Sequence, residues 1–264
     1  MQKSYRKIWL AIFIIILGCG FLWWKENKKN DIQIEIKEEE NIVSNVVVNG
    51  KSMIAEKEND VVEIDNQGEK KVEQEIPNKI LIEVPFTAQA PFANWDIFHE
   101  EACEEAALLM IKYYLDGKKL TPEVAEKEIQ AILAYEIKEY GKYEDSSAQE
   151  MVRLAADFYE IKNLKVIYDF SAEDLRKQLS LGHPIIVPAA GRLLGNPNFK
   201  APGPLYHAVV LVGYDGDTVI TNDAGTKRGE GYRYKMTTLY NAIHDFSGDL
   251  AQIEKGRKAM IVLE

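Results

Sequence analysis

Cysteine is almost absent from this chain: there are two in 264 residues, Cys19 and Cys103. No disulfide framework can exist within the body of the protein. Histidine is nearly as scarce, at four residues, and no Cys/His spacing typical of a zinc site occurs, so no metal is expected. Positive charge is also in deficit. Lys and Arg total 32 against 42 Asp and Glu, a formal net charge of −10. Nucleic-acid binding needs a basic face to meet phosphate, so nucleic acid is excluded as an expected partner. No internal repeat is present, and residues 25–78 contain no aromatic residue.

One long uncharged run stands out, residues 8–24, preceded by Lys3, Arg6 and Lys7 and followed by Lys25, Lys28 and Lys29. A basic start followed by an apolar run has the form of a signal segment, and its length lies within the range of a spanning helix. Trp23 and Trp24 sit where an aromatic belt would meet headgroups. Residues 1–24 are therefore expected to be a signal anchor that leaves the body outside the cytoplasm. A competing reading is a lipoprotein signal, because Ile16-Leu17-Gly18-Cys19 resembles a lipobox; Leu17 departs from it. Residues 25–78, rich in Lys, Glu, Asp and Asn, are expected to form an acidic flexible stalk.

Globular composition begins at Lys79. Ile80–Val84 reads as a strand ended by Pro85, and an aromatic loop follows over residues 86–99. A helix is expected from Cys103 to Leu115, stopped by Gly117. Thr121-Pro122 opens a second helix as cap and first-turn proline. Ser146-Ser147-Ala148-Gln149 resembles a capping box that opens a third, and Ser171 caps a fourth. Leu164–Tyr168 and Ile185–Val187 read as strands. The run Tyr206–Tyr214, the turn Asp215-Gly216-Asp217 and the return Thr218–Thr221 predict a β-hairpin. Helices come first and strands mostly later, so residues 79–264 are expected to form an α+β domain with segregated layers.

Three residues carry the chemical argument. Cys103 stands at a helix start, where unpaired N–H groups and the dipole favour a thiolate. Glu104 and Glu105 follow and would oppose that thiolate if they pointed at it. His207 opens an apolar strand. The hairpin pairs it with position 224–226, which brings Asp223 within a few positions across the ladder. Strict alternation could turn Asp223 to the wrong face, unless a turn or bulge re-aims it. A nucleophile, a base and a carboxylate that orients the base form the set used in covalent acyl transfer. The alternative is a buried structural cysteine, a histidine that ends a strand, and an aspartate in an Asx turn.

Val84–Pro91, Cys103–Ala106, His207–Asp215 and Asn222–Thr226 together resemble the papain-fold family related to bacteriocin-leader-processing peptidases. The resemblance covers residues 80–264. It implies a papain-like fold with N-terminal helices packed on an antiparallel sheet. It also implies Cys103 as nucleophile, His207 as general base and then acid, Asp223 as orienter and Gln89 as oxyanion donor. No cofactor is implied; the partner is a peptide or protein substrate. Ala224 stands where the family often has proline, and Gln89 lies fourteen positions before Cys103, farther than the papain-type spacing. The expected activity is amide hydrolysis by a membrane-tethered thiol enzyme. The rivals are a cell-wall peptide amidase or acyltransferase with the same triad, and an inactive peptide-binding module.

Overall fold

The computed structural model describes residues 76–264; the expected anchor at 1–24 and nearly all of the expected stalk lie outside the described residues. Among the described residues no helix is long and apolar enough to cross a membrane.

Helix α1 (Cys103–Leu115) is buried from Cys103 through Ile111, including Glu104 and Glu105, because other elements surround it. Helix α2 (Pro122–Glu139) starts where Thr121 accepts a hydrogen bond from the Val124 N–H and proline occupies the first turn. Helix α3 (Ala148–Tyr159) opens on a reciprocal capping box between Ser147 and Glu150. Strand β1 (Lys79–Leu81) is shorter than the expected 80–84: only one further bond, Ile82 N–H to Val212 C=O, extends its pairing, and Pro85 has no N–H to give. The remaining elements are β2 (Leu164–Tyr168), α4 (Ala172–Ser180), β3 (Ile185–Ala190), β4 (Tyr206–Asp215), β5 (Thr218–Asn222), β6 (Tyr232–Lys235), α5 (Met236–Ala242) and β7 (Ala259–Leu263).

The strands form one antiparallel sheet in the order β2-β7-β3-β4-β5-β6, with β1 on the far end of β4. Helices α1, α2 and α3 cover one face, where Ala106, Ile129 and Leu154 join Val210 and Ile261 in one core. The opposite face carries a layer not foreseen from the order of elements. There α4 and α5 place Leu175, Leu179 and Leu239 against Val209 and Val187. Covered on both sides, β3 and the middle of β4 bury both faces, which explains the unbroken apolar runs Ile185–Ala190 and Ala208–Val212.

The β4–β5 hairpin contains the detail that positions the site. Near the turn Gly213 pairs with Ile220 and Tyr214 with Val219, whereas beyond a bulge Leu211 pairs with Thr221 and Val210 with Asn222. Val212 is the extra residue. Continued past Asn222, the shifted register brings position 225 level with His207. Asp223 then shares the face of His207, where the unshifted register would have turned it away. Gly213 is required at the bulge, because a Cβ there would lie 2.3 Å from the Ile80 carbonyl oxygen of β1.

Candidate active site

Four of the sequence-derived residues, Gln89, Cys103, His207 and, through His207, Asp223, converge on one cavity of about 960 Å³. Cys103 is the first residue of α1 and only 5% exposed. Its sulfur accepts a hydrogen bond from the Ala208 N–H at 3.3 Å, so the first turn of α1 and the start of β4 meet at the thiol. His207 opens β4, with its ring edge-on to Phe199 at 5.2 Å between centroids. Its Nε2 bonds Asp223 Oδ1 at 2.8 Å, which leaves Nδ1 as the ring nitrogen available for proton exchange.

Asp223 is fully buried and accepts from four donors: His207, the Gly225 N–H at 3.0 Å, the Tyr234 hydroxyl at 2.6 Å and the Asn196 amide at 3.1 Å. Asn196 also donates to the Tyr234 oxygen at 2.8 Å. Burial alone would raise the Asp223 pKa, but His207, Tyr234 and the Gly225 N–H outweigh it and hold the carboxyl below its ordinary range. Burial, and next the Asp223 charge, push Tyr234 far above the usual phenol range, so it remains a donor. Tyr234 and Asn196 were not singled out from the sequence as partners of Asp223.

Gln89 reaches the cavity from the loop before α1. Both hydrogens of its amide are committed, to the carbonyls of His99 at 2.8 Å and Glu100 at 3.0 Å. Its Oε1 is buried without a partner. The Cys103 N–H, at the first position of the helix, has no intrahelical acceptor available to it. His99, four residues before Cys103, is pinned between Asp96 at 2.8 Å and Glu126 at 3.2 Å. His244 bonds the Gly256 carbonyl, and His183 faces Gln178. Among the described residues no cluster could hold a metal ion.

The electrostatics around the thiol run against the thiolate expected from helix position alone. Burial first, then the Glu104 carboxylate and Glu105, push Cys103 well above its ordinary pKa, with the Ala208 N–H as the opposing influence. Glu104 does point at the sulfur, its Oε2 accepting from Sγ at 2.9 Å. Across the cleft the walls differ in sign. Glu100, Glu101 and Asp145 come from the segments flanking α1 and α3, and Arg192, Lys200 and Arg228 from the loops around β4 and β5. Lys200 and Glu100 approach to 3.6 Å.

Comparison with known proteins gives one family. A model of the Peptidase C39-like family matches residues 81–248. Among solved structures, a protein from Bacillus anthracis described as a candidate C39-like peptidase matches with 18% sequence identity and a TM-score of 0.46. The match covers 70% of this chain and 98% of that one. No curated protein matches significantly.

Proposed function

The chain belongs to the Peptidase C39-like family, and from that premise we propose that it is a cysteine peptidase in which Cys103, His207 and Asp223 form the catalytic set. The observation that carries the reading is the His207–Asp223 pair beside a thiol that lies against the next residue of the same strand. In this mechanism Nδ1 of His207 takes the Cys103 proton, and the sulfur attacks the substrate carbonyl. The imidazolium protonates the leaving amine, and water then releases the acyl group from sulfur. Asp223, fixed by four donors, keeps the ring oriented and stabilises its positive charge.

The Cys103 N–H is the principal oxyanion donor in this reading. Gln89 joins it only by releasing the two carbonyls to which its amide now donates. Otherwise its role is to brace the turn 99–101 that delivers Cys103 to the cleft. Replacing Cys103 by alanine should abolish turnover of peptide substrates in a chain that remains folded by circular dichroism. Retained turnover would end this reading.

The substrate is a peptide or protein, and the chain is tethered at a membrane with the catalytic domain outside the cytoplasm. The uncharged run 8–24 between basic flanks supports the tether. Fractionation of cells expressing the full chain and a chain lacking residues 1–24 tests it; equal release of both into the soluble fraction would discard the tether. A wall-directed amidase or acyltransferase would use the same three residues, and is separated by assaying wall peptides beside unstructured ones. A peptide-binding module without turnover is favoured by one observation, the contact that ties the thiol proton to Glu104.

A further inference from the structure

Glu104 has no place in the Cys–His–Asp set, yet it touches the nucleophile. It is 2% exposed. Neighbouring side chains on a helix diverge by about 100°, so an acid next to Cys103 would ordinarily point elsewhere. Here the carboxylate is turned and fixed at both oxygens. Oε1 accepts from the Ser146 N–H at 2.8 Å, and Oε2 faces Cys103 Sγ at 2.9 Å. Ser146 is itself held by the Tyr206 hydroxyl, which donates to its carbonyl at 2.7 Å. The socket thus joins α1, the segment before α3 and β4.

This arrangement fixes where a proton on Glu104 can sit. Oε1 is occupied by a donor, so the acid proton belongs on Oε2, against the sulfur. We propose that Glu104 is a catalytic proton partner of Cys103: as a carboxylate it accepts a hydrogen bond from the thiol, which keeps its proton and stays unreactive, and as a carboxylic acid it donates a hydrogen bond to the sulfur and favours the thiolate. The inference rests on Cys103 being the nucleophile. In the productive step the S–H bond breaks, its electron pair stays on sulfur, and the proton forms the Nδ1–H bond of His207. Glu104 retains its own proton throughout. When Glu104 is ionised, the same transfer would place two adjacent anions in a buried site.

The charged and titratable groups around the pair are few. They are Glu105 on α1 with Glu136 on α2 behind it, Asp145 before α3, Tyr206 on β4 with Asp245 near it, and His207, which lines the same cavity as Cys103. Burial raises Glu104 to about 8, with Asp145 adding to the rise and the Cys103 and Ser146 contacts opposing it. Both protonation states of Glu104 are therefore accessible within the pH range of a labelling experiment.

The test is the pH dependence of iodoacetamide labelling of the full chain, read by mass spectrometry on the peptide containing Cys103, for the native protein and Glu104→Gln. Glutamine keeps an acceptor for Ser146 and offers the sulfur a neutral donor. The labelling inflection should fall by about one pH unit or more, with the faster labelling confined to pH above about 8, where the native Glu104 is ionised, and no difference at lower pH. An inflection that stays in place or rises overturns the proposal. If Glu104→Gln does not fold, the infrared S–H stretch of the native protein, assigned as the band missing from Cys103→Ser, gives the same answer. The band should move as pH is raised through about 8, and an immobile band overturns the proposal. Neither measurement uses a substrate, so failure here is distinct from failure of the peptidase reading, which Cys103→Ala decides by turnover.

Discussion

Asp223 and His207 are two positions out of direct register across the hairpin, yet they share a face and meet at 2.8 Å because Val212 is bulged out of the ladder between them and the turn. The bond is thus a product of strand register as much as of residue identity. The whole right-hand part of the site, from Tyr234 to the imidazole, depends on that one-residue shift.

Asp223→Asn should leave the fold intact and lower kcat by on the order of 10²–10⁴, since an amide can hold the ring but cannot stabilise its positive charge. Steady-state kinetics on any cleaved peptide, alongside the thermal unfolding midpoint, checks this. An unchanged kcat would remove Asp223 from the mechanism.

Tyr234→Phe deletes one donor to a buried carboxylate. A hydrogen bond to a charged group is worth roughly 1.5–3 kcal/mol, and kcat is expected to fall by about tenfold with KM little changed. The acidic limb of the pH–rate profile should move up, because Asp223 loses one of the donors that hold its pKa down. A change in KM alone would show that Tyr234 shapes the cleft without acting through Asp223.

Gly225→Ala is expected to damage activity more than stability. The added Cβ would lie 2.8 Å from the Phe199 ring and 2.9 Å from Cε1 of His207, so the imidazole must shift. A normal unfolding midpoint with kcat/KM reduced at least tenfold is the expected pair of results. Full activity would mean that the ring has room the structure does not show.

Stability should fall as pH rises from about 5 through about 6, where Glu136 ionises, and continue to fall above it. Burial raises Glu105 well above the ordinary carboxylate range, with Glu104 and Glu136 adding to it, and burial lifts Glu136 to about 6. A folded-state pKa above the unfolded value of about 4.3 means that the native chain holds protons the unfolded chain releases. Stability is then greatest below the unfolded pKa and is lost as pH passes the folded ones. Glu136→Gln should flatten the dependence of the unfolding midpoint on pH. A midpoint that is constant or rises over this range contradicts the raised values.

The two-signed cleft predicts a charge preference. Burial, and next Glu101 and Glu144, raise Asp145 to about 6, so these acids crowd one another beside the thiol and a substrate cation would relieve them. Matched peptides with Lys or Glu near the scissile bond should differ severalfold in kcat/KM in favour of Lys. Asp145→Asn combined with Glu101→Gln should narrow that difference. No preference, or a preference for Glu, would show that this wall does not contact the side chains of the substrate.

What the sequence disclosed and what it hid differ in range. The caps at Thr121 and Ser171 were legible because the bond and the residue that makes it lie within one turn, whereas the box that opens α3 uses Ser147 and Glu150, one residue later than the expected Ser146–Gln149 pattern. The hairpin was legible from its turn and its β-branched runs. The bulge left only Gly213 as a trace, and a glycine in a strand has several meanings. Tyr234 and Asn196 were invisible as partners of Asp223, since they come from β6 and from an irregular loop and meet only in three dimensions. Glu104 was misleading for another reason. An acid in a first turn normally answers the helix dipole from the surface, and only the packing of β4 and the segment before α3 shows that this one faces inward.

The bond from the Ala208 N–H to the Cys103 sulfur joins residues 105 positions apart in the chain. The thiol belongs to the first helix of the domain, and its imidazole to a strand that follows three further helices. In the proposed mechanism the nucleophile of α1 therefore has no base until β4 has folded against it, and a chain still being made, or threaded partly through a barrier, is expected to be inert.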